Sequence, residues 1–235
     1  LAEADDRSAP IQHVDEPPNW GRLPIVECGE PLVPLEATGR LRVRALYAEQ
    51  GIPGAPTTTY VRAGVRDRLL RAVAALPDGV ALVVFDGYRP LNVQAYLWDD
   101  FRARLAAEHP EWDGDALDRA TGQFVARPVA DPLRPPPHRT GGAVDVYLID
   151  AATGAELPMG TEADEVAPAS ATRYFEEHPE EPFTGNRRTL YHAMSRAGGF
   201  ANYPGEWWHF DFGNQRWANL TGAPHALYGL PAAEP

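Results

Sequence analysis

The stretch from Ala143 to Ile149 constrains this chain most, because it alternates like a strand yet carries a carboxylate in an otherwise apolar run. Val144, Val146 and Leu148 fall on one side, Asp145 and Tyr147 on the other. A buried carboxylate without a partner is costly, so Asp145 demands a cation or hydrogen-bond donors. The pattern alone leaves two answers open, a metal ion or a structural arginine.

Around this strand the periodicities are legible. Val61, Val65, Leu69, Val73 and Leu76 recur at helical spacing until Pro77-Asp78-Gly79 stops them. The short, β-branched run from Val80 to Phe85 predicts a buried strand that delivers Asp86-Gly87-Tyr88-Arg89-Pro90 at its end. Val93, Leu97, Phe101 and Leu105 predict a second helix. Asn186 to Ala197, with Leu190 and Met194 inward, predicts a last one ended by Gly198-Gly199, and Glu206 to Phe212 is strand-like. Residues 1–35, rich in proline and acidic side chains, read as an extended arm, and residues 36–235 as one folded domain. With no internal repeat and no linker, this order predicts a single α+β domain, helices packed on a central, mainly antiparallel sheet.

Composition narrows the function. In 235 residues, 44% hydrophobic content supplies a core, and 23% charged with 10% aromatic residues departs from the composition of disordered chains. A net charge of -12 with scattered Lys and Arg argues against a nucleic-acid partner. No apolar run approaches the roughly 20 residues that span a bilayer, so no membrane partner is expected. The acidic start LAEADDRSAP lacks an export signal, which gives a cytoplasmic expectation. A lone cysteine, Cys28, excludes an internal disulfide and a thiolate zinc site.

Catalytic zinc sites take three ligands from His and carboxylates and leave one position open. His138 and Asp145 are separated by Gly141-Gly142, which allows a tight turn to fold the histidine back beside the strand. His209 arrives from elsewhere, in Glu206-Trp207-Trp208-His209, where the glutamate could reach water at a metal. His13, His109, His178, His192 and His225 read as surface or satisfied core residues. Residues three apart on a regular strand point to opposite faces, so Glu206 has to precede the strand or sit in a bulge, with Pro204-Gly205 as a cause.

Five blocks in order, Asp86-Gly87-Tyr88-Arg89-Pro90, His138 to Asp145, Met159-Gly160-Thr161 with Asp164, Asn186-Arg187-Arg188 and Gly205 to Phe210, resemble the VanX-type D-alanyl-D-alanine dipeptidases, with their hedgehog/D,D-peptidase-like fold. The match runs from about residue 40 to 213. The double tryptophan looks like the dipeptidases more than the related D,D- and L,D-carboxypeptidases, which usually have proline first. The resemblance implies one Zn2+ per chain on His138, Asp145 and His209, with Glu206 as general base and Arg89 as stabiliser of developing charge. It implies that Asp164 binds the free amino terminus of a small dipeptide substrate; the other reading is a solvated residue in an acidic loop. Trp207 and Trp208 divide between core and pocket wall, with Trp208 assigned to the substrate. Asp86 either orients Arg89 through a charge-assisted pair or caps the following turn. Pro136 stands where the family has a serine, and the family's tyrosine near an early arginine falls in the Arg42 to Tyr47 region. The implied activity is zinc-dependent hydrolysis of a D,D-dipeptide such as D-Ala-D-Ala. The alternatives are a peptidoglycan D,D- or L,D-carboxypeptidase and a non-catalytic, metal-stabilised binding module.

Overall fold

The alternation of Ala143–Asp150 is realised as the middle strand of a five-stranded sheet. The computed structural model describes residues 7–16 and 19–235; residues 1–6 and 17–18 of the expected arm lie outside the described residues. In chain order the strands are β1 (Leu32–Pro34), β2 (Leu41–Val43), β3 (Tyr60–Arg62), β4 (Val80–Asp86), β5 (Ala143–Asp150), β6 (Ala201–Asn202) and β7 (His209–Asp211). The helices are α1 (Leu46–Glu49), α2 (Ala63–Ala75), α3 (Leu91–Glu108), α4 (Gly114–Thr121), α5 (Tyr174–Glu177), α6 (Phe183–His192) and α7 (Gln215–Thr221). The main sheet has the order β2-β4-β5-β7-β6, and β1 pairs with β3 in a small second sheet. Among the described strands of the main sheet only the β2–β4 pair is parallel, so this α+β domain has the mainly antiparallel sheet that its pattern predicts. Among the described residues no helix is long and apolar enough to cross a membrane.

Val144, Val146 and Leu148 are fully buried in one apolar cluster with Val65 and Leu69 of α2, Leu190 of α6 and Met194. Helix α6 continues through wider turns at Ala193–Gly198, and these pack against α2. Two predicted boundaries move for the same reason: pairing between distant segments decides them. Val61 fits the helical period, but Tyr60–Arg62 pairs antiparallel with Leu32–Pro34, and α2 starts only at Ala63. The strand expected over Glu206–Phe212 shortens to His209–Asp211, because residues 203–208 form a loop closed by Tyr203 N donating to the His209 carbonyl (3.1 Å). Asn202 Nδ2 adds bonds to the Glu206 and His209 carbonyls at 3.1 and 3.0 Å.

The described part of the 1–35 segment is anchored by Arg62, which is 1% exposed. Its guanidinium donates to Glu27, to the Glu30 and Gly229 carbonyls and, at 2.7 Å, to the Thr140 carbonyl, and it stacks on Tyr228. One side chain thus ties the segment, the C-terminal stretch and the turn after His138 together. Arg62→Met leaves these acceptors without a donor and should lower unfolding free energy by about 3 kcal/mol or more in denaturant titration; an unchanged midpoint would refute this role.

Candidate active site

Register brings the first residues of the site together. Asp145 on β5 is opposed by Asp86 on β4 and by His209 on β7, and directly paired residues share a face of the sheet. Asp86 reaches that row through a bulge. The β4–β5 register shifts between Val84 and Asp86, so Phe85 is the extra residue and Asp86, rather than Phe85 alone, faces Asp145. His138 comes from a 3-10 turn, Pro137–Thr140, ended by Gly141 at φ 70, where a Cβ would meet Leu32 at 2.3 Å. The Gly141 turn returns the chain to β5 with the imidazole against Asp145, as its spacing predicts.

The hydrogen bonds of the two rings fix which nitrogens face inward. His138 Nδ1 donates to the Gly87 carbonyl at 2.9 Å, with Asp86 at 3.3 Å, and His209 Nε2 donates to Asp211 at 3.1 Å. With both rings neutral, the lone pairs of His138 Nε2 and His209 Nδ1 therefore confront each other 3.1 Å apart. Asp145 stands 3.3 Å from the first and 3.0 Å from the second. Two lone pairs and a carboxylate directed at one point repel unless a cation sits among them. The three donors lie within 4.8 Å of one another, all buried, and with an acceptor behind each ring they fit a metal ion.

The electrostatic surroundings agree with this need for positive charge. Burial opposes ionisation of Asp145, but His138 and His209 hold its carboxyl well below the usual range. Burial also favours a neutral His209, yet Asp211 and Asp145 push it up to about 10, so a proton is drawn to the cluster when no metal competes.

The strand-parity difficulty resolves in the loop. Glu206 lies ahead of β7, and its Oε2 comes within 3.9 Å of His209 Nδ1. Burial pushes its carboxyl up to about 7, against the pull of His209 and with the push of Asp145 and Asp164. A carboxylate poised near neutrality suits proton transfer.

Arg89 follows β4 and is held on every side. It donates Nε and Nη2 to Asp86 (3.0 and 2.6 Å), Nη1 to Gln94 Oε1 (2.9 Å) and Nη2 to the Tyr47 hydroxyl (2.9 Å). Asp86 therefore pairs with Arg89, and Pro90 occupies the cap position of α3 with no side-chain cap bond. The Tyr47 hydroxyl passes the chain on, donating to Asp164 at 3.1 Å. Asp164 is open to solvent in the cleft; the protein crowding it, and next the charge of Asp145, raise its carboxyl against the pull of Arg89. Its neighbours are thus Tyr47 and the site, rather than the other acids of its loop. Trp208 lines the cleft, whereas the Trp207 indole turns to Thr161, donating to Oγ1 at 2.8 Å. The cleft, about 680 Å³, is lined by Tyr47, Arg89, His138, Asp145, Asp164, Glu206, Trp208 and His209 and runs on along α3 past Tyr96 to Phe124. Of the histidines read as structural, His192 is buried on the Ala9 carbonyl, His109 stacks on Trp112, and His13 and His178 are exposed.

Sequence reasoning missed Gln94 and Asp211, and reached Tyr47 only as part of the Arg42 to Tyr47 region without giving it a role. Asp211 was discoverable, since it lies two residues after His209 on the same strand face. Gln94 carries no local signal.

The pattern of the peptidase M15 family, described as D-ala-D-ala dipeptidase, matches residues 61–224. The chain belongs to this family. It is a metallopeptidase of the M15 type, in keeping with the resemblance drawn from its five blocks. It is 35% identical over 220 residues to the D-alanyl-D-alanine dipeptidase of Synechocystis sp., covering 83% of this chain and 87% of that one. A second relative, the D-alanyl-D-alanine dipeptidase of Escherichia coli (strain K12), is 32% identical over 135 residues, covering 57% of this chain and 56% of that one. Among solved structures, the vancomycin resistance D,D-pentapeptidase VanY in complex with Zn(II) aligns over 73% of this chain and 83% of that one, at 18% identity and a TM-score of 0.38.

Because Asp211 fixes the His209 ring, Asp211→Ala should weaken binding of a divalent metal about 10- to 100-fold in chelator competition while the fold persists by circular dichroism. Unchanged affinity would show that the ring needs no such support.

Proposed function

We propose that this metallopeptidase is a zinc D,D-dipeptidase that cleaves a small dipeptide such as D-Ala-D-Ala, with His138, Asp145 and His209 as the zinc ligands. The observation that carries this reading is the pair of inward imidazole lone pairs 3.1 Å apart against Asp145, with Glu206 3.9 Å from His209. His, His and carboxylate with one open position is a donor set suited to catalytic zinc. When bound there, zinc supplies Lewis acidity, polarising a carbonyl and favouring ionisation of water near neutral pH.

The protein's own groups do the rest. Glu206 takes the proton of the attacking water and delivers it to the departing amine nitrogen, so no covalent enzyme intermediate forms. Arg89, held rigid by Asp86, Gln94 and Tyr47, offers its guanidinium to the negative charge growing on the scissile oxygen. Asp164, bonded to Tyr47 at the same cleft, receives the substrate ammonium. Trp208 walls the pocket. Asp86, Asp145, Asp164 and Glu206 give the site a negative balance that favours a cationic metal and a cationic amino terminus over the blocked end of a longer chain.

One observation favours a second reading. The cleft continues along α3 to Tyr96 and Phe124, both exposed, which gives room for a longer peptidoglycan stem. Comparing hydrolysis of the free dipeptide with that of a pentapeptide stem separates a dipeptidase from a carboxypeptidase.

Glu206→Ala should retain one zinc per chain by elemental analysis and lose about 10²- to 10⁴-fold in turnover of D-Ala-D-Ala. Full activity in that variant would refute the assignment of the base.

A further inference from the structure

Arg187, the middle residue of the Asn186-Arg187-Arg188 block, and Trp207, the first tryptophan of the pair, take no part in the chemistry above, yet both are buried where two loops meet. Arg187 is 2% exposed on α6, and its guanidinium donates to the carbonyls of Met159 (2.8 Å), Ala169 (2.7 Å) and Ala171 (2.8 Å). These carbonyls stand at the two ends of the loop that carries Asp164, so one planar fork closes its neck. Burial lowers Arg187 to about 9, and the three carbonyl acceptors favour the charged guanidinium against that cost. Inside the neck the backbone is tightly folded: Gly160 has φ 89, where a Cβ would meet Phe175 at 2.2 Å, and Asp164 itself has φ 64. A non-glycine residue in that region persists only where its surroundings hold it.

Trp207 then joins this loop to the one that carries Glu206. Its indole donates to Thr161 Oγ1 (2.8 Å), three residues before Asp164, and its backbone N–H donates to the Ser170 carbonyl (3.0 Å). Thr172 reinforces the seam, donating N–H to the Pro204 carbonyl (3.0 Å) and its hydroxyl to Asn202 Oδ1 (2.6 Å). The Arg187 guanidinium lies 5.7 Å from the centre of the Trp207 ring.

We propose that Arg187 and Trp207 are positioning residues that lock the Asp164 loop against the Glu206 loop and thereby set the enzyme's demand for a free amino terminus. The inference rests on the reading of Asp164 as the ammonium acceptor. A carboxylate selects for an ammonium only if it is held at a fixed distance from the reacting carbonyl; on a loosened loop it swings away, and the charged and blocked substrates become more alike. Glu206 is affected less, because the Asn202 side chain and the Ser170 carbonyl still hold its loop when the indole donor is lost.

The test compares kcat/KM for D-Ala-D-Ala and for N-acetyl-D-Ala-D-Ala with the zinc-loaded full chain. Trp207→Phe keeps a ring and removes the donor to Thr161. It should lower the ratio of the two constants about tenfold, chiefly through a higher KM for the free dipeptide. Arg187→Lys, which keeps the charge and loses the fork, should move the ratio the same way. Asp164→Asn should lower it at least as far, and Trp207→Phe on top of Asp164→Asn should add nothing further. Equal losses on both substrates in Trp207→Phe, or effects that multiply in the double variant, would overturn the proposal. A wild type that cleaves D-Ala-D-Ala but does not prefer the free amine refutes the reading of Asp164 beneath it; one that cleaves neither substrate refutes the proposed activity itself.

Discussion

The carboxylate of Asp145 sits in the middle strand of the sheet, 1% exposed, and the organisation of the site follows from how that charge is balanced. Its neighbours across the sheet are set by register, Asp86 on one side and His209 on the other, and its third neighbour, His138, is delivered by a turn. Arg89 approaches to 3.6 Å but spends its hydrogen bonds on Asp86, Gln94 and Tyr47. The two answers open at the outset, metal or arginine, thus separate spatially. The arginine balances Asp86, and the imidazole lone pairs beside Asp145 call for a cation of their own. Each ring is backed by an acceptor, which is the arrangement that raises ligand basicity and fixes ring orientation at metal centres.

Around this centre charged side chains stand on separate elements. The strand end supplies Arg89, the β6–β7 loop supplies Glu206, and the loop before α5 supplies Asp164. A hydrogen-bonded chain from Arg89 through Tyr47 to Asp164 connects two of them, and the seam built on Trp207 connects the third. Rigid support of this kind costs stability elsewhere, in a buried arginine whose guanidinium bonds backbone carbonyls and a non-glycine residue in left-handed backbone. Such costs are concentrated where geometry has to be held within a fraction of an ångström.

Much of this was legible before any coordinates, and the division has a physical cause. Strands β4 and β5 and helices α2 and α6 announce themselves because hydrophobic periodicity is a local signal that burial then enforces. His138, Asp145 and His209 were readable from residue type and family-like blocks, and Glu206 from its place three residues before a histidine. What stayed hidden depends on pairing between distant segments. The bulge at Phe85 that turns Asp86 toward Asp145 exists only in the β4–β5 register, and β1 is recognised as a strand only once β3 lies beside it. Tyr47 enters the site from a four-residue helix with no motif, through bonds to residues 42 and 117 positions away. The parity argument about Glu206 was correct in form; the loop that satisfies it is closed by Asn202, which carries no sequence signal of that role.

The central claim is that two inward nitrogens and one carboxylate hold a single metal ion. Anomalous diffraction at the zinc edge from zinc-loaded crystals tests it most directly. The account predicts one peak, about 2.0–2.1 Å from both His138 Nε2 and His209 Nδ1 and about 2.0–2.2 Å from an Asp145 oxygen. A peak elsewhere, or coordination through His209 Nε2 with Nδ1 turned away from Asp145, would contradict it.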